Sequence, residues 1–204
     1  MFARFRDFFK RTTSYQDKRD SEQNWKLIES HLTDGKSVLD VACDAGFYSL
    51  KFAALGKFVV GFDILASSLK KAKKKALSKR INNAHFLEMP LTPDNVTKFP
   101  IFDTVLCLSV YHHFFRLYGE DGAKEMVRNL FEITNKQLYI QIPSKIGKYG
   151  SDFSIDFKGD KDLTEKYVQD IFLGVDHCVV SYVGKKRELP PTEPYRYLFL
   201  ATRV

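Results

Sequence analysis

Hydrophobic and polar positions alternate along the chain between short apolar runs and helical stripes, the pattern of an α/β domain. Val38, Leu39 and Val41, with Asp40 among them, predict a strand, small residues predict a tight turn, and Phe47 to Leu55 predicts a helix. Phe58 to Phe62 predicts a second strand and ends on Asp63. Leu65, Leu69, Ala72 and Ala76 fall at helical spacing and would form the inner stripe of the next helix. His85-Phe86-Leu87 predicts a short third strand ending in Glu88-Met89-Pro90, and Leu91 to Pro100, with its prolines, predicts a loop. Phe102 to Ser109 is a strongly apolar fourth strand, followed by Val110-Tyr111-His112-His113-Phe114.

Farther on, Ala123, Met126, Val127, Leu130 and Phe131 predict an amphipathic helix, and Gln137 to Ile142 predicts a fifth strand stopped by Pro143. Ser144 to Asp162 is polar and glycine-spaced, long enough for a lid, and carries Lys145, Lys148, Tyr149 and Lys158. A helix over Leu163 to Leu173 precedes strands at Cys178 to Val183 and Tyr195 to Val204, joined by KKRELPPTEP. Upstream, Trp25, Ile28 and Leu32 predict a helix capped by Asp20 or Ser21. The first residues place Phe2, Phe5, Phe8 and Phe9 at helical spacing beside Arg4, Arg6, Lys10 and Arg11. Such a segment can make peripheral contact with a membrane surface, pack on the domain or close over a bound ligand. The expected organisation is a leader over 1–20 and a single domain over 21–204.

With 204 residues and 44% hydrophobic content, the chain is long enough for one domain with a good core. No apolar run reaches the ~20 residues of a membrane helix, and charges interrupt each N-terminal apolar segment. A cytoplasmic protein with no integral membrane segment is expected. Cys43, Cys107 and Cys178 fit neither a metal-ligand spacing nor a disulfide framework, so no metal is expected. The net charge of +7 biases the protein toward anionic partners. Lys70, Lys71, Lys73, Lys74, Lys75, Lys79 and Arg80 follow one another without an acid. They form either a solvated helix face or a surface for RNA or another polyanion.

Strand, small-residue turn, helix, strand and acid is a scheme that places helix N-terminal amides and a ribose-binding carboxylate around a ligand above the strand ends. The dinucleotide form needs G-x-G-x-x-G, and here only Gly46 is present. Asp40 followed by Val41-Ala42-Cys43-Asp44-Ala45-Gly46 instead resembles the D-x-G-x-G-x-G motif of class I S-adenosylmethionine-dependent methyltransferases. The likeness runs from about Tyr15 to the end of the chain. Ala42 and Asp44 replace the first two glycines; Asp tolerates φ > 0, whereas Ala adopts it at a cost of about 1 kcal/mol. A slightly remodelled loop or weaker cofactor binding is expected.

The resemblance implies a three-layer α/β sandwich with a Rossmann-like, mostly parallel seven-stranded sheet and an antiparallel C-terminal strand inserted beside the fifth. It implies S-adenosyl-L-methionine as cofactor, held by Asp40, Ala42, Asp44 and Gly46 of the loop, by Asp63 and Ile64, by Glu88 and Met89 against the adenine, and by Ser109 and Val110 beside the methionine half. Tyr15 and Arg19 occupy leader positions that in such families reach the amino-acid carboxylate, where Arg forms two parallel bonds. Tyr111, His112 and His113 would lie over or beside the methionine half, one His buried and the other open to the pocket. A His near its free pKa can take a proton from an acceptor hydroxyl.

The run FDTVLCLSVYHHFFRLYGEDGAKEMVRNLF resembles bacterial methyltransferases that cap or modify saccharide chains. Its Cys-Leu-Ser-Val start and Gly-Glu-Asp-Gly helix entry also resemble enzymes that methylate terminal phosphates of RNA, in which the His112 position commonly holds another residue. The expectation is O-methylation of a small-molecule or saccharide-like acceptor, with a phosphate or RNA end as the alternative and a non-catalytic binding module, marked by Ala42 and Asp44, as the second alternative.

Overall fold

The computed structural model describes residues 18–143, 155–187 and 195–204. In chain order the elements are α1 (Lys18–Glu29), β1 (Ser37–Val41), α2 (Phe47–Ala54), β2 (Phe58–Asp63), α3 (Ala66–Ser78), β3 (Ala84–Glu88), α4 (Pro93–Val96), β4 (Phe102–Cys107), α5 (Tyr111–Glu132), β5 (Thr134–Pro143), α6 (Lys161–Ile171), β6 (Cys178–Arg187) and β7 (Tyr195–Arg203).

The strands form one seven-stranded sheet in the order β3-β2-β1-β4-β5-β7-β6. β1 to β5 pair in parallel, whereas β7 runs antiparallel between β5 and β6. The strand order reverses between β1 and β4, and such a switch point opens a crevice beyond the carboxyl ends of the strands.

Register assigns the two faces. Val38, Val59 and Ala84 lie abreast, as do Leu39 and Val105, and side chains alternate between faces along each strand. One face carries Leu39, Val105, Ile140 and Phe199 against Met126, Val127 and Leu130 of α5 and Val168 and Ile171 of α6. The other carries Val38, Val59, Leu106 and Tyr139 against Trp25 and Ile28 of α1 and Phe52 of α2. Leu69, Ala72 and Ala76 of α3 close on Phe86 and Cys43. The result is the expected three-layer sandwich with its antiparallel strand beside β5.

Several expectations are corrected. The span after β3 holds a short helical turn, α4, because Asn95 Oδ1 accepts from the Thr92 amide at 2.9 Å and Asn95 Nδ2 donates to Pro90 O at 3.0 Å. Lys18–Glu29 is helical, so Asp20 and Ser21 lie within α1 instead of capping it. Ser21 is buried and hydrogen-bonded to Tyr48. Asp103 lies within β4, which ends at Cys107. The helix expected around Ala123 begins at Tyr111 and continues through a break at Gly119 (φ 72, ψ −174). The glycine breaks the apolar period, which hides the first half of the helix from a periodicity reading. The segments 1–17, with Tyr15, and 144–154 lie outside the described residues.

Candidate active site

The loop between β1 and α2 turns through three left-handed residues. Ala42, Asp44 and Gly46 have φ of 56°, 46° and 73°, at the three glycine positions of the motif. The chain therefore keeps the backbone path that glycine normally supplies, at the expense of strain at Ala42. Only the third position requires glycine sterically. A Cβ at Gly46 would meet Ala72 Cβ at 2.9 Å and the Phe86 ring at 3.0 Å. Loop and α3 thus pack backbone against side chain.

Three hydrogen bonds hold that path. Cys43 N donates to Phe62 O at 2.9 Å and Gly46 N to Cys43 O at 2.9 Å. Asp44 Oδ1 accepts from Ser68 Oγ of α3 at 2.7 Å. Burial raises the Cys43 thiol far above its ordinary pKa, so this cysteine is an inert packing residue.

Asp63, at the end of β2, faces the loop from below. Its Oδ2 accepts from the Asp44 amide at 2.8 Å and its Oδ1 from the Leu65 amide at 2.8 Å. Burial raises its pKa, opposed by these amides. Asp40 sits elsewhere than expected. It is 2% exposed and caps α2, its Oδ2 accepting from the Ser49 amide at 3.1 Å and from Ser49 Oγ at 2.5 Å. It does not line the cleft, and burial pushes its carboxyl up to about 7.

Above the strand ends lies a cleft lined among others by Ala42, Asp63, Ile64, Met89, Leu91 and His113. Its wall is mostly apolar, completed by Val41, Phe62, Pro90, Val110, Phe114 and Leu117. An apolar slot with one carboxylate and one imidazole suits a flat heterocycle joined to a polyol. Sequence reasoning missed Pro90, Leu91, Phe114 and Leu117. The apolar start of α5 was the available signal for the last two.

The remaining expected residues fall in different places. Glu88 is solvent-exposed and does not line it. The Met89 amide donates to Asp63 O at 3.1 Å, so Met89 contributes its side chain and not a free amide. The Arg19 backbone lies in the first turn of α1. Tyr111 is fully buried and its hydroxyl pairs with that of Tyr167 at 2.7 Å, which removes it from the acceptor side.

The two histidines are in ring contact but differ in burial. His112 is 4% exposed, whereas His113 lines the cleft; their rings lie 4.0 Å apart. Burial, with Arg196 and Arg116 nearby, lowers the His113 pKa to about 4, leaving a neutral imidazole at the cleft wall. Ser109, with φ 58°, donates its hydroxyl to Gln141 Oε1 at 2.8 Å.

A family model described as a methyltransferase domain matches residues 32–168. The chain belongs to this methyltransferase family. Among curated proteins, the methyltransferase chain is 34% identical over 82 residues to a ubiquinone biosynthesis O-methyltransferase of Glaesserella parasuis serovar 5 (strain SH0165), covering 39% of the chain and 35% of that protein. It is 28% identical over 112 residues to the O-antigen chain terminator bifunctional methyltransferase/kinase WbdD of Escherichia coli, covering 48% of the chain and 14% of that protein. The chain therefore spans about a third or less of these relatives.

Two solved structures show the same fold at 20% identity. A crystal structure of WbdD matches with a TM-score of 0.67 over 91% of this methyltransferase chain and 40% of that one. Magnesium protoporphyrin IX methyltransferase from Synechocystis PCC 6803, with bound SAM, matches with a TM-score of 0.62 over 92% and 79%. Among the described residues, no helix is long and apolar enough to cross a membrane, and no cluster of three or more His, Cys, Asp or Glu could hold a metal ion.

Proposed function

We propose that this protein transfers a methyl group from S-adenosylmethionine to an oxygen of a small-molecule or saccharide-like acceptor. The observation that carries the reading is the left-handed turn at Ala42, Asp44 and Gly46, braced by Asp63 beside an apolar cleft. The relative named as an O-methyltransferase supports an oxygen acceptor, and the one named as an O-antigen chain terminator methyltransferase/kinase supports a saccharide-like one.

In this reading, Ile64, Met89 and Leu91 sandwich the adenine, and the free lone pairs of Asp63 accept from the ribose hydroxyls. The loop amides and α1, with Tyr15 and Arg19, serve the amino-acid end. Bound there, the sulfonium supplies an already activated methyl group. What remains for the protein is alignment and exclusion of water. The apolar wall of Val110, Phe114 and Leu117 serves the second task. His113, neutral at physiological pH, is the acceptor-side group: its imidazole takes the acceptor hydroxyl's proton as the methyl passes from sulfur to oxygen.

Calorimetric titration with S-adenosylmethionine and S-adenosylhomocysteine tests the reading. Micromolar binding of both supports it, and the next step is a screen of hydroxylated acceptors. Binding of neither favours a non-catalytic module in which Ala42 and Asp44 have closed the site. A second reading, methylation of a phosphate or RNA end, draws on the exposed Lys70, Lys71, Lys73, Lys74, Lys79 and Arg80 along α3. It requires RNA affinity that falls steeply with salt, and salt-independent affinity rejects it.

A further inference from the structure

Ser109, Gln141, Asn24 and Tyr48 form a continuous buried hydrogen-bond chain. Ser109 Oγ donates to Gln141 Oε1 at 2.8 Å, Gln141 Nε2 donates to Asn24 Oδ1 at 3.2 Å, and Asn24 Nδ2 donates to Tyr48 OH at 2.9 Å. Ser21 joins at the far end through the Tyr48 hydroxyl. Gln141 is 1% exposed and Asn24 0%, so every break in the chain would strand a polar group away from water.

The four residues come from β5, α1, α2 and the turn after β4. Packing alone does not call for this polarity. α1 is already seated by Trp25, edge-on to Phe52 at 5.1 Å, and by Ile28. Apolar residues of the same volume at 24 and 141 would hold α1 to the sheet equally well. What hydrogen bonds add is direction: they set the rotation of α1 against the strand ends and the orientation of the Ser109 hydroxyl, on a backbone in the left-handed region.

None of the four residues is among those lining the apolar cleft, yet each adjoins an element that shapes it or the loop. Ser109 is followed by Val110, which lines the cleft; Tyr48 lies in the first turn of α2, two residues after Gly46; and Arg19 belongs to the same helix, α1, as Asn24. We infer that Gln141 and Asn24 are positioning residues which, through Ser109, Tyr48 and α1, shape the subsite for the amino-acid end of the cofactor and leave the adenosine end untouched. The inference rests on the S-adenosylmethionine reading of the cleft.

Its test is a comparison of ligands. Gln141→Leu, Asn24→Leu and the double variant are titrated with S-adenosylhomocysteine and with 5′-methylthioadenosine, which keeps the nucleoside and lacks the amino acid. The expected result is at least a tenfold rise in the Kd of S-adenosylhomocysteine with that of methylthioadenosine within twofold, and a double variant no worse than the poorer single one. Equal weakening of both ligands overturns the inference, as do additive losses or no change, because a merely structural role would not distinguish the two ligands. Tyr48→Phe breaks only the links at the Tyr48 hydroxyl, to Asn24 and Ser21, without a cavity and serves if the leucine variants fail to fold; it should show the same selectivity at smaller size. Wild-type protein that binds neither ligand refutes the cleft reading itself, a separate outcome.

Discussion

The carboxylate of Asp63 accepts the backbone amide of Asp44 at 2.8 Å while its other oxygen accepts that of Leu65 at 2.8 Å. One side chain thus joins the end of β2 to the loop after β1 and to the start of α3. Asp63→Ala removes the brace together with the proposed ribose acceptor. A rise of at least tenfold in the S-adenosylmethionine Kd, about 1.4 kcal/mol, is expected by calorimetry. Unchanged affinity would refute the ribose assignment.

Ala42 and Asp44 share a left-handed backbone but should respond differently to glycine. Ala42→Gly relieves strain and loses only the packing of one half-buried methyl, and is expected to stabilise by up to about 1 kcal/mol, or about 2–4 °C in Tm for a chain of this size. Asp44→Gly also loses the acceptor of the Ser68 hydroxyl, so it should be neutral or destabilising. Thermal unfolding of both variants reads the contrast.

At Gly46 the constraint is steric as well as conformational. Gly46→Ala places a Cβ at 2.9 Å from Ala72 Cβ and at 3.0 Å from the Phe86 ring, with φ at 73°. The loop or α3 must move. Destabilisation of about 1–3 kcal/mol is expected from overpacking, with loss of cofactor affinity exceeding that of Ala42→Gly. Wild-type stability in this variant would contradict the packing described.

Two buried groups make stability pH-dependent in opposite senses. Burial raises Asp40 to about 7, so the folded state binds a proton that the unfolded chain has lost above about pH 4. Its contribution is full below that value and is lost as pH rises through 7. His113, lowered to about 4 by burial and by Arg196 and Arg116, stays neutral where the unfolded chain protonates, so its contribution rises between about pH 4 and 6.5. Asp63, also raised by burial, acts in the same sense as Asp40, so in Asp40→Asn one of the two opposing carboxyls is gone, and stability measured by urea unfolding should fall less, or climb more, with pH across that window than in the wild type. A profile parallel to the wild type would reject the Asp40 assignment.

His113→Ala tests the acceptor-side role. A loss of about 10²–10⁴ in kcat is expected if the imidazole takes the acceptor proton, with S-adenosylmethionine affinity within a few fold. Because the ring titrates near 4, the wild-type rate should be level above about pH 5 and decline below it. His112→Ala, at a buried position, should act mainly through stability. Equal kcat in wild type and His113→Ala would leave the reaction without a general base and favour a phosphate acceptor, which needs none.

The alternation of strands and helices, the position of the loop and the acid at the end of β2 were legible in the residues themselves. Short-range patterns determine them: strand and helix periodicity, small residues at a turn, and a fixed distance from Asp40 to Asp63. The left-handed backbone at Ala42 and Asp44 was not legible, because neither residue demands it; Asp63, Ser68 and the packing at Gly46 impose it from other elements. Likewise the sequence marked Tyr111, His112 and His113 as one cluster. One buried and one open His was expected from their adjacency; only the tertiary structure decided which, with His113 lining the cleft, His112 buried and Tyr111 paired with Tyr167. Asp40 became a helix cap and Glu88 a surface residue for a related reason: each depends on which neighbour meets its side chain, and those neighbours arrive from far along the chain. The chain from Ser109 to Tyr48 crosses four elements, and no local pattern announces it.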